Sequence, residues 1–202
     1  MRTAVLATRN PHKLKELQRL TRGLGVRWLT LRDFPLLAPV VEDGRTFAAN
    51  ARKKAVTVAH ATGLVAVADD SGLEVDALNG RPGVLSARYA GPRATDAANN
   101  RKLLRALLET PLQRRGAQFR CCIAVAEPGG RVATVEGHVR GRIATAPRGR
   151  SGFGYDPLFL IPRYHRTFAE LGPRIKDHMS HRARALRAAH PLILRVVRSA
   201  LR

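Results

Sequence analysis

Asp69 and Asp70 stand side by side between the apolar run Val65-Ala66-Val67-Ala68 and the pair Ser71-Gly72. Two ionised carboxylates in contact repel, so they persist most readily where a cation or basic partner offsets the repulsion, or where one carries a proton. Hard divalent cations with oxygen ligands are natural partners. The same residues also read as a turn, because Asp, Ser and Gly all favour turns. Charge distribution bears on the choice: the chain has 36 Lys plus Arg against 15 Asp plus Glu, a net charge of +21, yet Glu42, Asp43, Asp69, Asp70, Glu74 and Asp76 fall within one short stretch. If these carboxylates converge, they can hold a metal while the basic surroundings attract an anion. A metal-bound polyphosphate needs both.

Positioning such groups takes a strand under the carboxylates and helices beside them. Residues 65–68 read as a strand that delivers Asp69 and Asp70 at its tip. Residues 3–7 read as a buried first strand, then a polar turn, then a helix with Leu14, Leu17, Leu20 and Leu24 near helical spacing. Asn10 is a suitable N-cap and Pro11 suits the first turn. A helix N-terminus with free N–H groups and Lys13 beside it is a generic anion site, although Lys13 also reads as a solvated helix residue. The Walker spacing is absent. A second strand spans 27–31, and a second helix spans 46–61 with Asn50 and Lys54 four apart on one side, ended by Gly63.

Further on, residues 78–91 form an ordered, turn-rich loop, and Thr95 or Asp96 caps a helix with Leu103, Leu104, Leu107 and Leu108 on its core face. Residues 117–126 and 132–143 read as an antiparallel hairpin, which makes the sheet mixed. Adjacent Cys121 and Cys122 point to opposite faces of that strand, so no disulfide joins them and a reducing compartment fits. Residues 148–157 place glycines around Phe153 and Tyr155, which suits close backbone approach to a ligand or a plain turn before a strand. Ser180 caps a helix beginning at His181, and Pro191 opens a last helix over 192–201.

Length and composition suit one domain over 1–202, with 45% hydrophobic and 25% charged residues and no repeat or linker. Apolar runs fall far short of the roughly 20 residues that span a bilayer, and the N-terminus lacks a signal-peptide layout, so a cytoplasmic protein is expected. The charge alone would suit a nucleic-acid-binding protein. Only six of the basic residues are lysine, however, the pattern of an Arg-rich compositional background, and aromatics are 5% with no recognised binding motif.

Six motifs in order, Thr8-x-Asn10-x-x-Lys13, Glu42-x-Gly44-x-Thr46-Phe47-x-x-Asn50-Ala51-x-x-Lys54-Ala55, Asp69-Asp70-Ser71-Gly72-Leu73, Ser86-Ala87-Arg88-Tyr89, Gly152-Phe153-Gly154-Tyr155-Asp156-Pro157 and Ser180-His181-Arg182, resemble the Ham1 / RdgB family. The resemblance runs from about position 5 to 187. It implies an α/β fold with a long mixed central sheet and flanking helices forming two lobes around an active-site cleft, commonly a homodimer. It also implies Mg²⁺-dependent hydrolysis of dITP, ITP and XTP or dXTP to the monophosphate and pyrophosphate. By position, Thr8, Arg9, Asn10, Pro11, His12 and Lys13 would hold the phosphates. Asp70 would be the catalytic carboxylate and a metal ligand, Glu42 a second metal ligand, and Ser71 a substrate contact. Phe153, Gly154, Tyr155, Asp156, Lys176, His181 and Arg182 would shape the nucleoside pocket. The chemistry agrees: Lys13 and Lys54 suit a polyphosphate as point charges, Phe153 offers a stacking face, and Arg182 can donate to purine O6 and N7. Ala49 departs from the glutamate that many relatives place there, and Pro173-Arg174-Ile175 from the acidic run often found before the lysine. A Maf-like nucleotide pyrophosphatase is the alternative of nearest chemistry.

Overall fold

In the computed structural model, which describes residues 2–199, the N-terminal apolar run forms strand β1 (Thr3–Leu6) and helix α1 (Pro11–Leu20) follows it. Asn10 caps α1 as its side chain predicts, accepting from the amides of His12 and Lys13, with Pro11 in the first turn. The helix is shorter than the leucine spacing suggests. Thr21 closes it, donating its hydroxyl to the Leu17 carbonyl at 2.8 Å, so Leu24 lies beyond the helix. Strand β2 (Arg27–Thr30) and helix α2 (Phe47–Thr62) come next. Thr46 caps α2, and Gly63 ends it at φ 67°, a left-handed conformation that glycine adopts without a Cβ penalty.

Strand β3 (Val65–Val75) corrects the reading of the carboxylate pair. Asp69 and Asp70 are in its interior, not at its tip or in a turn, and the strand runs on through Ser71 and Gly72. Carboxylates are tolerated there because basic groups from α1, α2 and the C-terminal helix reach them. Alternation along the strand sends the two side chains to opposite faces.

The remaining elements are α3 (Asp96–Ala106), β4 (Gly116–Ala126), β5 (Val132–Ile143), β6 (Phe159–Ile161), β7 (Arg166–Thr167), α4 (Phe168–Met179) and α5 (His181–Ser199). All strands join one seven-stranded sheet in the order β2-β1-β3-β4-β5-β6-β7. β1 is parallel to β2 and β3, whereas β6 is antiparallel to β5 and β7, so the sheet is mixed as expected. α3 starts after the Thr95 cap but ends at Ala106. Leu103 and Leu107 are buried; Leu108, past the helical period, is 73% exposed.

Two further departures lie in the C-terminal third. α4 was not anticipated, although Thr167 and Glu170 form its capping box. It carries a break at Gly172 (φ 75°, ψ 176°), with Pro173 after it. α5 is one helix through Pro191 rather than two. A proline inside a helix costs about 3 kcal/mol, but Ile193, Val196 and Val197 beyond it are buried, each contributing about 1.5–3 kcal/mol. Burial wins. Residues 200 and 201 of the expected last helix lie outside the described residues.

Two compact units divide the chain. The first comprises residues through Asp70, then Cys121–Gly137, then Arg182 onward; Leu6, Leu17, Val67, Ile123, Leu186 and Ile193 belong to its core. The second comprises Ser71–Arg120 and His138–His181, with Leu73, Leu103, Phe119, Leu158, Phe159 and Phe168 in its core. Cys121 and Cys122 are free thiols, both buried. Among the described residues, no helix is long and apolar enough to cross a membrane.

Candidate active site

In the first unit, β3 presents Asp69 to α1 and α5. The Asp69 Oδ2 atom lies 3.1 Å from Lys13 Nζ and accepts from Arg182 Nε and Nη2, each at 3.2 Å. Arg182 also donates from Nη1 to Glu16, a buried residue of α1. Asp69 is 0% exposed and Arg182 is 1% exposed. Burial opposes the charge on Asp69, but Lys13, Arg182 and Lys54 outweigh it and hold the carboxyl well below its ordinary range. For Arg182, burial is likewise outweighed by Asp69 and Glu16, which raise its pKa further.

Asp70 meets a different environment. Its Oδ2 atom accepts from Asn50 Nδ2 at 2.9 Å, and its Oδ1 atom lies 4.0 Å from Lys54 Nζ. Asn50 is itself fixed, its Oδ1 accepting the Gly44 amide at 2.7 Å. A Cβ at Gly44 would stand 2.6 Å from that Oδ1 atom, so the close approach needs glycine. Lys54 also binds Glu42 Oε1 at 2.7 Å, with burial opposing its charge and Asp69, Asp70 and Glu42 sustaining it. Burial pushes the Asp70 carboxyl up, Lys13 and Lys54 pull it down, and Glu42 adds to the rise; it ends above its ordinary value. The two neighbouring carboxylates are therefore shifted in opposite directions.

The acidic stretch seen in the sequence does not gather in space. Asp43 pairs with Lys53, Glu74 with Gln118 and Arg120, and Asp76 with Arg140. Each has a basic or amide partner of its own, which removes the reason to converge. Glu42 and Asp70, by contrast, flank one ammonium, that of Lys54. These two carboxylates fit a small divalent ion, which takes one or two carboxylates and completes its shell with phosphate oxygens and water. Among the described residues, no three His, Cys, Asp or Glu side chains form a metal-holding group, so substrate oxygens and water would complete the coordination.

The loop from β1 to α1 is also more self-contained than expected. The first-turn amides of His12 and Lys13 bond Asn10 Oδ1 at 2.9 and 3.1 Å, and Leu14 N donates to the Asn10 carbonyl at 2.9 Å. Free N–H groups were expected there; the cap has taken them. Attraction for an anion then rests on the helix dipole and on basic side chains. Thr8 is buried, its Oγ1 accepting the Asn10 amide at 3.3 Å, while Arg9 donates to the Leu37 carbonyl.

In the second unit, the segment from Phe153 to Asp156 is folded around Asp156. The Asp156 Oδ2 atom accepts from the Phe153 amide at 2.9 Å and from Lys176 Nζ at 2.5 Å. Lys176 Nζ also sits 4.5 Å from the centre of the Phe153 ring, a cation–π distance. Tyr155 OH donates to the Ser86 carbonyl at 2.9 Å, and burial raises its phenol pKa. Ser86 Oγ in turn donates to Gly83 O and accepts the Leu73 amide. His181 is buried, its ring stacked on Phe119 with centroids 4.7 Å apart. Ser71 is half-buried on β3.

Thus Lys13, Glu42, Lys54, Asp70 and Arg182 join one polar cluster, and Phe153, Asp156 and Lys176 another. Arg182 lies on Asp69 and Glu16. Sequence reasoning missed four contributors. Glu16 looked like an ordinary helix residue. Asn50 was seen beside Lys54, but its bond to Asp70 was not. Asp96, read with Thr95 as a candidate cap, and Asn100, read as part of a core helix, lie four apart on α3 and bond the backbone of Gly154. An i, i+4 pair of polar residues on a helix with an apolar face was the available signal.

This mixed α/β sheet thus bears a buried carboxylate pair of opposite electrostatic character, bordered by Lys13, Lys54 and Arg182. The chain belongs to the Ham1 family, whose model matches residues 4–192. A Desulforamulus reducens protein named dITP/XTP pyrophosphatase is 52% identical over 192 residues, covering 95% of this chain and 96% of the relative. One of the same name from Rhodopirellula baltica is 51% identical over 196 residues, covering 96% and 94%. The solved structure of a HAM1 protein from Coxiella burnetii superposes with a TM-score of 0.88 at 43% identity, covering 96% of this chain and all of that one.

Proposed function

We propose that this protein hydrolyses non-standard purine nucleoside triphosphates, with dITP, ITP, XTP and dXTP as the substrate class, to the monophosphate and pyrophosphate, clearing them from the nucleotide pool. The observation that carries this reading is Asp70, a buried carboxylate with raised proton affinity held by Asn50 beside Lys54 and Glu42. About half-identity over nearly the whole length to proteins named dITP/XTP pyrophosphatases supports the substrate class.

Lys13 and Lys54 hold phosphate oxygens as point charges, with Thr8 to His12 forming the turn around them. Glu42 and Asp70 are the residues to hold Mg²⁺, which when bound neutralises charge on the phosphates. Asp70 orients the attacking water and accepts its proton as the oxygen bonds to phosphorus, the anhydride bridge breaks and pyrophosphate leaves. Ser71 touches the substrate. Phe153, with Lys176 on one face, stacks the base on the other, and Gly154, Tyr155, Asp156 and His181 shape its surroundings. Arg182 exchanges part of its pairing with Asp69 and Glu16 for O6 and N7 of the base, whereas adenine presents an N6 donor at that edge. By family resemblance the protein acts as a homodimer, and its short apolar runs suit the cytoplasm.

A substrate panel tests the reading. Pyrophosphate release with Mg²⁺ should be fast from dITP and XTP, slow from dGTP, dATP and dTTP, and abolished by a chelator. Comparable cleavage of dTTP would support the Maf-like alternative. No release from any nucleotide, with tight retention of nucleic acid, would make the protein a basic binding protein instead.

A further inference from the structure

Asp96 and Asn100 lie about one turn apart on α3 and grip a single residue of the second unit. Asp96 Oδ2 accepts the Gly154 amide at 2.6 Å, and Asn100 Nδ2 donates to the Gly154 carbonyl at 3.0 Å. Both backbone groups of one glycine are held by one helix. Gly154 directly follows Phe153 and has φ +63°; Gly152, on the other side, has φ +83°. Phe153 is thus flanked by two glycines, the residue type with the widest choice of backbone conformation. Such a segment takes its shape from what it is tied to.

Asn100 carries a second indication. Its Oδ1 atom is buried with no hydrogen-bond partner, and an unmet buried acceptor weakens the fold relative to an apolar side chain of similar size. What the asparagine offers in return is its bond to Gly154. Asp96 is exposed at the start of α3, where a carboxylate also suits the helix dipole. That role needs no contact with Gly154, yet the contact is short and charge-assisted.

We propose that Asp96 and Asn100 are positioning residues for base recognition, holding Gly154 so that the Phe153 ring, with Lys176 against one face, keeps its other face presented to the purine. The inference rests on the reading of Phe153 as the stacking residue. Neither side chain is assigned a contact with substrate, so both act through the loop.

Steady-state kinetics on dITP with Asp96→Ala, Asn100→Leu, Asp96→Asn and Phe153→Ala test it. Each of the first two variants should raise KM roughly three- to tenfold, the equivalent of one hydrogen bond, with kcat within about twofold. Asp96→Asn keeps an accepting oxygen and should restore most of the KM. Asn100→Leu removes the unmet acceptor together with one bond to Gly154, and the two effects offset, so its melting temperature should stay close to the parent's. If Phe153→Ala raises KM while Asp96→Ala and Asn100→Leu leave it unchanged, the positioning role is overturned and the stacking role stands. If Phe153→Ala itself leaves KM unchanged, the stacking reading fails and takes this inference with it. A fall in kcat and melting temperature in Asp96→Ala without rescue by Asp96→Asn would reduce the pair to scaffold and overturn the proposal.

Discussion

Replacing either of the adjacent carboxylates by its amide should have opposite consequences for stability. Asp69 has a folded-state pKa held below its ordinary 3.8, so its charge stabilises the fold above that pH and the contribution is lost on acidification. Asp70 is shifted the other way, so at neutral pH its charge weakens the fold. In Asp69→Asn, Lys13 and Arg182 lose a fully buried counter-charge; breaking such a pair costs about 3–5 kcal/mol. At about 2–4 °C per kcal/mol for a chain of this length, the melting temperature should fall by about 6–20 °C. In Asp70→Asn, Lys54 keeps Glu42 at 2.7 Å and the amide oxygen still accepts from Asn50, so no buried cation is stranded. The melting temperature should hold or rise, while turnover drops by about 10²–10⁴ with loss of a general base. Thermal melts in chelator-containing buffer and pyrophosphate release from dITP at saturating Mg²⁺ give the two readouts. Equal destabilisation by both changes, or an unchanged melt for Asp69→Asn, would refute the electrostatic reasoning. Near-parental turnover by Asp70→Asn would remove its assignment as the catalytic carboxylate.

Other expectations follow from single contacts. Gly152→Ala places a Cβ 2.1 Å from Asp156 Oδ2 at φ +83°; a strained backbone of this kind costs about 1–3 kcal/mol, and steady-state kinetics should show KM for dITP rising as the Phe153 loop shifts. Burial, with Arg187 adding to it, holds the His190 pKa below its ordinary 6.5 against a backbone contact with Leu20. The stability this gives is present above 6.5 and lost as pH falls below it, so His190→Asn should flatten the loss of melting temperature between about pH 7 and pH 5. Raising monovalent salt at fixed free Mg²⁺ should lower kcat/KM for dITP and dGTP by similar factors, because a field screened over about 8–10 Å steers any triphosphate. A strong change in their ratio would show that the basic surface also selects the base.

Legibility followed the range of the interactions. The cap at Asn10, the start of α2 at Thr46, the choice of Thr95 or Asp96 as the cap of α3 and the stop at Gly63 are set by neighbours within a turn, and all could be read. β3 could not be read to its full length. Its interior carboxylates are admitted by Arg182, 113 residues from Asp69, and by lysines on two helices. Arg182 lies 166 residues from Glu16, so nothing local announced that it would be buried as an ion pair. Pro191 was misread as a boundary because its local cost is outweighed by apolar contacts beyond it. The acidic stretch misled for a related reason: Asp43, Glu74 and Asp76 each pair with a basic or amide group of their own, while alternation along β3 parts the neighbours Asp69 and Asp70.

That alternation sets a rule for changes in chain length. Along β3, the seats for residues 69 and 70 differ in the charge they reward, and they are assigned by register alone. Inserting or deleting one residue between Val65 and Asp69 would turn every following side chain over. An insertion would bring Ala68 to the seat beside Lys13 and Arg182 and Asp69 to the seat beside Asn50; a deletion would place Asp70 against Lys13 and Arg182 and Ser71 beside Asn50. Point substitutions can adjust either seat independently, but a single-residue indel changes both at once. The stretch before the carboxylates is therefore fixed in count as well as in its buried, apolar character.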